Sequence, residues 1–180
     1  GRLFQVYSNS QNVTIEHNTG FSGAHVLLGE GTPNPGLVFR NNMLLYGRYG
    51  IGGSGKGAGN AALDFYFPGS IVTHNAFIGG GNVAKSYPPD NFFPAALEDV
   101  GFADLAAANY SLSDQSSYKG KGSDERDLGA DMGVLSQVLQ EAVAGAPTSE
   151  GPALSELRRL TQSARTPAWK KFYWARRLAR

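Results

Sequence analysis

Few residues of this chain combine the type and the spacing that chemistry demands. Asp64 is the best single carboxylate, set in the apolar phrase Ala61-Ala62-Leu63-Asp64-Phe65-Tyr66-Phe67. Hydrolysis of a glycosidic bond would need a second carboxyl group flanking the same bond. Glu16, Asp90 and Asp104 are the available partners, and spacing selects none of them; Glu98 and Asp99 read as cap residues. His17 and His74 share a position in a repeated phrase, with Asn41 between them. Two strand spacings, about 9.6 Å, keep both imidazoles from one ion, so no metal site is expected. Gly50-Ile51-Gly52-Gly53-Ser54-Gly55-Lys56 matches the first seven positions of a phosphate-binding loop. Gly57 stands where Ser or Thr should hold magnesium, and Gly57-Ala58-Gly59-Asn60 is a poor helix start. Nucleotide binding is therefore rejected, and Gly50 to Gly59 is expected to be a protruding loop.

Repeated elements must position whatever chemistry remains. The phrase Val13-Thr14-Ile15-Glu16-His17-Asn18 recurs as Leu37-Val38-Phe39-Arg40-Asn41-Asn42 and as Ser70-Ile71-Val72-Thr73-His74-Asn75, starting 24 and then 33 residues later. Recurrence at this interval marks a solenoid. Alternation turns one strand face inward, and the terminal Asn is expected to supply the left-handed bend of a corner. Asn18, Asn42 and Asn75 would then stack about 4.8 Å apart with their amides hydrogen-bonded. Glu16 and Arg40 fall at one position and would form an exposed pair worth a few tenths of a kcal/mol. Ala24-His25-Val26-Leu27-Leu28 reads as a second-face strand, and Ala61 to Phe67 is given the same part before the third copy.

The 180 residues suffice for a core, with 41% hydrophobic content and 24 glycines that suit a turn-rich, all-β body. The absence of cysteine excludes a disulfide framework and thiolate metal sites. No apolar run is long enough to span a bilayer. The expected division is 1–133, rungs and cap, and 134–180, a helical cap with a basic tail. Residues 1–150 carry 8 Lys/Arg against 14 Asp/Glu, and residues 151–180 carry 8 against one. Trp169, Phe172, Tyr173 and Trp174 interleave with those tail cations. Docking or self-association is the expected role of the tail; neither nucleic acid nor a membrane surface is an expected partner. Gly1-Arg2-Leu3-Phe4 already reads as a strand without a cap, so the expectation is the C-terminal part of a longer protein, or a partner chain over that edge.

Behind the three Asn-terminated rungs come Phe102-Ala103-Asp104, Asn109-Tyr110-Ser111-Leu112, Tyr118-Lys119-Gly120-Lys121-Gly122 and Asp127-Leu128-Gly129-Ala130. This succession, over roughly residues 1–135, resembles the end of bacterial right-handed parallel β-helix repeat proteins of the pectate-lyase-like superfamily. The resemblance implies a right-handed parallel β-helix closed by a C-terminal cap and a short α-helical tail. It also implies an acidic polysaccharide lying along an outward sheet while Arg or Lys abstracts a sugar proton, often beside calcium. Carried onto this chain, Arg40, Arg48 and Lys56 are the candidate bases, with Asp64 the hydrolytic alternative. Arg48, His74 and Tyr66 are the candidate substrate contacts. No Asp cluster accompanies them, so no cofactor is expected here and calcium is left to a parent protein. The functional expectation is a bacterial, exported protein that binds or processes polysaccharide. The alternative is a non-catalytic module that ends a surface solenoid and self-associates through its first rung or its tail.

Overall fold

The three copies of the phrase lie side by side in register. In the computed structural model, which describes residues 1–143, Thr14, Val38 and Ile71 pair in one row, Ile15, Phe39 and Val72 in the next, and Glu16, Arg40 and Thr73 in the third. The linker, second helix and basic aromatic tail expected after Val143 lie outside the described residues. The chain is mostly β with few helices. Its first nine strands are β1 (Arg2–Tyr7), β2 (Thr14–Glu16), β3 (Thr19–Gly20), β4 (His25–Glu30), β5 (Val38–Arg40), β6 (Met43–Leu45), β7 (Gly50–Gly53), β8 (Ile71–Thr73) and β9 (Ala76–Ile78). They form three parallel sheets of three strands each: sheet A is β1-β4-β7, sheet B β2-β5-β8 and sheet C β3-β6-β9. The chain visits the sheets in rotation, so each passage through A, B and C makes one tier.

Apolar side chains from all three sheets meet in one core. Phe4 of sheet A packs edge-on against Phe39 of sheet B (6.1 Å between ring centres), and Phe39 lies parallel to Phe77 of sheet C (6.4 Å). Val26, Leu27, Phe39, Leu44, Ile51 and Phe77 are fully buried there. The corner between sheets B and C is held by an amide ladder. Asn18 Nδ2 donates to Asn42 Oδ1 at 2.9 Å, Asn42 Nδ2 to Asn75 Oδ1 at 2.8 Å, and Asn75 Nδ2 to Asn91 Oδ1 at 3.0 Å. Asn91 is a fourth member that no apolar alternation announces. Its approach, Ser86-Tyr87-Pro88-Pro89-Asp90, sets prolines where Val72 and Thr73 stand one tier earlier. Proline has no N–H to give a parallel neighbour, so sheet B stops at β8.

Three local expectations are corrected. The left-handed residue of the corner is the one before each Asn: His17, Asn41, His74 and Asp90 have φ of 49°, 58°, 51° and 63°. These are types that tolerate that region, and the ladder Asn is thereby freed to point along the stack. Ala61 to Phe67 is not a strand, because Asn60–Tyr66 forms helix α1, which buries Ala62, Leu63 and Tyr66. A seven-residue apolar run satisfies either period, and here the helical one prevails. Gly50 to Gly59 is not a loop throughout, since Gly50–Gly53 is strand β7 and a tight turn follows with Gly53 bridged to Lys56. Its glycines make room for neighbours. A Cβ on Gly53 would run into the Tyr66 ring, and one on Gly29 beside it would lie 2.7 Å from Tyr66 Cβ.

The segment after the ladder covers sheet C. Strands β10 (Phe102–Asp104) and β11 (Asn109–Leu112) form an antiparallel hairpin. Val100, Leu128, Phe102, Leu112 and Tyr118 pack over Met43, Ala76 and Ile78, which are fully buried. Gly1–Met132 form one compact unit, and a second begins at Gly133. Helix α2 (Met132–Val143), all but its first residue in that second unit, carries Leu135 and Leu139 exposed one turn apart.

Candidate functional site

Among the described residues sheet C is covered, and sheets A and B present outward faces. On sheet B, Arg40 Nε donates to Glu16 Oε2 at 2.8 Å, both side chains being about two-fifths exposed. The pair is the surface ion pair its register dictates, and it occupies the guanidinium proposed as a base. Ile71 stands exposed beside it.

Sheet A offers more. The register places Arg2, His25 and Gly50 in one row and Gln5, Leu28 and Gly52 in another. Gly52 contributes no side chain, and the His25 ring lies over it, 3.4 Å from where a Cβ would stand. Tyr49 then folds onto His25, with ring centres 4.7 Å apart and planes within 29°. What puts Tyr49 there is the turn at Gly47, whose φ is 67° and whose Cβ position lies 2.6 Å from the Ala24 carbonyl oxygen, so only glycine fits. The Arg48 and Tyr49 N–H groups donate to the carbonyls of Gly23 and Ala24 at 3.2 and 3.0 Å, fixing the approach. Tyr49 remains 46% exposed, with the Arg48 guanidinium 5.9 Å from its ring centre. With its carbonyl turned to Arg2, Gln5 accepts from the guanidinium Nε at 3.3 Å and donates to the Tyr7 hydroxyl at 3.1 Å. Arg2, Leu3, Gln5, Ala24, His25 and Tyr49 line an open depression of about 690 Å³.

Burial depresses the pKa of His25 from its ordinary 6.5, and the Arg2 charge adds to this against an opposing pull from Glu30. The imidazole is neutral near pH 7, and its Nδ1 is buried without a partner among the described residues. The arrangement is an uncharged stacked ring pair flanked by two guanidinium groups. Such a surface takes a flat apolar face by stacking and hydroxyl or carboxylate oxygens by the Arg forks.

No family model, no curated protein and no solved structure matches this chain.

That finding overturns the likeness to the pectate-lyase-like superfamily. Asn-terminated phrases and a Gly-rich ending are met by parallel sheets and a ladder, which are requirements of the backbone and not the mark of that family. The residues chosen on the strength of the likeness are also dispersed. Lys56 sits on the turn after β7 with Nζ 4.1 Å from the Phe65 ring centre, and Asp64 is exposed on α1. Tyr66 is 4% exposed and its hydroxyl donates to the Ser54 carbonyl at 2.6 Å, so it is a core residue and not a substrate contact. His74 Nδ1 lies 2.8 Å from Thr73 Oγ1 at the corner. Glu16 is engaged by Arg40, and Asp104 accepts from the Ala107 N–H at 2.9 Å, so neither pairs with Asp64. Among the described residues no group of three or more His, Cys, Asp or Glu is placed to hold a metal ion. Of the earlier choices Arg48 stands next to the depression, its guanidinium beside the lining residue Tyr49. Arg2, Gln5, His25 and Tyr49 were missed, although one signal existed: His25 and Tyr49 are 24 residues apart, the interval between the first two phrases.

His17 makes a second constellation, and it is a clamp. Nδ1 lies 3.2 Å from the Gly129 carbonyl oxygen and Nε2 lies 2.9 Å from Asp124 Oδ2, so both nitrogens are engaged by the closing segment. Asn41 Oδ1 accepts from the Ser123 N–H at 2.8 Å, and Thr19 Oγ1 from the Ala130 N–H at 3.0 Å. Together these contacts bind the closing segment to the first two tiers. Partial burial pushes the Asp124 pKa up, but hydrogen bonds from His17 and from the Arg126 N–H outweigh it and hold it below the ordinary 3.8. A carboxyl depressed in the folded state contributes stability above its unfolded value that is lost as pH falls through the folded one. Asp124→Asn is therefore expected to lower Tm modestly at pH 7 and to leave Tm nearly unchanged against wild type at pH 2. Thermal unfolding of both proteins across that range checks it, and a constant difference would contradict it.

Proposed function

We propose that this chain binds polysaccharide, without catalysis, on the outward face of sheet A. The observation that carries the reading is the exposed Tyr49 ring stacked on a neutral His25 between Arg2 and Arg48. A sugar ring offers a C–H face to such a platform and oxygens to the guanidinium groups. Non-catalytic binding is favoured because the candidate acids and bases are spread over sheet B, α1 and the turn at Lys56. We further propose that the three sheets wind as a right-handed parallel β-helix. Support comes from the rotation of strands through sheets A, B and C, and from the handedness that nearly all crossovers between parallel strands of one sheet adopt.

Affinity electrophoresis through gels containing acidic or neutral glycans tests the binding. Retardation by at least one glycan is expected, with Tyr49→Ala weakening it about tenfold, equal to about 1.4 kcal/mol. Unchanged circular dichroism in the variant would keep the loss local. Migration unaffected by every glycan, or equal retardation of the variant, would sink the reading.

A further inference from the structure

The corner amide of the first tier is half used. In the second tier Asn42 Oδ1 accepts from both the backbone N–H and the Nδ2 of Asn18, at 3.0 and 2.9 Å. Its own Nδ2 reaches back to the Ile15 carbonyl at 2.9 Å and forward to Asn75 Oδ1 at 2.8 Å. Asn75 repeats the pattern, accepting from the Asn42 N–H at 3.2 Å and reaching back to the Phe39 carbonyl at 2.8 Å. The ladder therefore has a direction, with every Oδ1 taking its two donors from the tier before. Asn18 holds the forward half only. Its Nδ2 donates to Asn42 Oδ1 and to the Glu16 carbonyl of its own strand, and among the described residues nothing donates to its Oδ1.

The same end is open in two other respects. Strands β1, β2 and β3 are the edges of their sheets. Leu3, Phe4 and Val13 are only partly buried there, whereas Val26, Phe39 and Leu44 of the second tier are fully buried. Unpaired backbone groups beside apolar side chains are a template for strand addition.

We propose that this end docks a further parallel β tier, apolar at its central strand residue and carrying Asn at its second corner. The ladder's direction selects that occupant. A second copy docked about a two-fold axis would set Asn18 Oδ1 against Asn18 Oδ1, acceptor against acceptor, with antiparallel edges. A head-to-tail copy fails at the other end, where Pro88 and Pro89 hold the strand position ahead of Asn91 and have no N–H to give a parallel neighbour. The inference does not depend on the glycan reading.

Because Arg2, His25 and Gly50 share one row, a copy of residues Ala24 to Arg48 fused ahead of Gly1 keeps the register. The fused chain should exchange its β1 and β3 amide protons more slowly, on the order of tenfold, and melt at higher temperature. Asn42→Leu made in the added copy alone keeps the apolar burial and should abolish most of that gain. Unchanged exchange, or a gain indifferent to the Asn, would overturn the proposal. Should the fused chain not unfold cooperatively, the same segment as a free peptide is titrated into the full chain and followed by NMR. Shifts confined to β1, β2, β3 and Asn18 support docking, and none at millimolar peptide overturns it. A dimer of the unmodified chain with β1 amides already protected would overturn it in favour of a second copy.

Discussion

Asn42→Leu is expected to destabilise the protein by about 3 kcal/mol, and Asn42→Ala by about as much or slightly more. Asn42 is fully buried, and its amide serves the Asn18 backbone N–H, the Asn18 Nδ2, the Ile15 carbonyl and Asn75 Oδ1. Leucine fills nearly the same volume but satisfies none of them. Each buried polar group left without a partner costs about 1–3 kcal/mol, so lost pairing and not lost volume dominates. Asn18→Leu is the contrast, because that residue is only partly buried and water can replace what it gives up. Urea unfolding of the three variants measures the difference. A loss under about 1 kcal/mol for Asn42→Leu would show that the ladder is ornamental to stability.

Phe39→Ala is expected to cost about 3–5 kcal/mol, the range for deleting a buried aromatic ring. Phe39 is fully buried and is the ring through which Phe4 of sheet A and Phe77 of sheet C meet sheet B. Its removal opens a cavity that three backbones cannot close together without breaking parallel pairing. Ile71→Ala on the same sheet, at a residue 55% exposed, should change stability by no more than about 0.5 kcal/mol. Equal effects from the two would mean that the three sheets do not share one core.

Where the sequence repeats, its reading of register and stacking was accurate, although the left-handed bend falls on the residue before each Asn, and the reason is physical. Side-chain identity at a fixed interval of 24 decides who stands above whom: Asn18 over Asn42, Glu16 beside Arg40, His17 beside Asn41. Parallel strands that share an inward apolar row and a uniform Asn column leave little freedom of register. The reading failed where a short apolar run fits two periods, as in Ala61 to Phe67, and where glycines stand for space rather than for a turn, as in Gly50 to Gly53. The open depression, marked in the sequence only by the 24-residue spacing of His25 and Tyr49, was missed for another reason. Its residues come from the first two tiers and from the turn before the third, and none of them belongs to the repeated phrase. Stacking of His25 on Tyr49 depends on a bare Gly52 beneath and a turn at Gly47, neither of which announces a ligand.

The 33-residue interval has a practical reading as well. Nine residues more than the first interval are taken up between β7 and β8, yet β8 still meets β5 row for row, Val38 with Ile71, Phe39 with Val72 and Arg40 with Thr73. The connection from sheet A to sheet B thus behaves as an expansion joint. Foreign sequence is expected to be accepted in that connection at the exposed turn Pro68-Gly69, where a Cβ on Gly69 would meet nothing within 4 Å and β8 begins only after Ser70. A peptide tag or a reporter domain placed there would be displayed on the flank of the molecule, at a height along the stack chosen by the number of tiers beneath it.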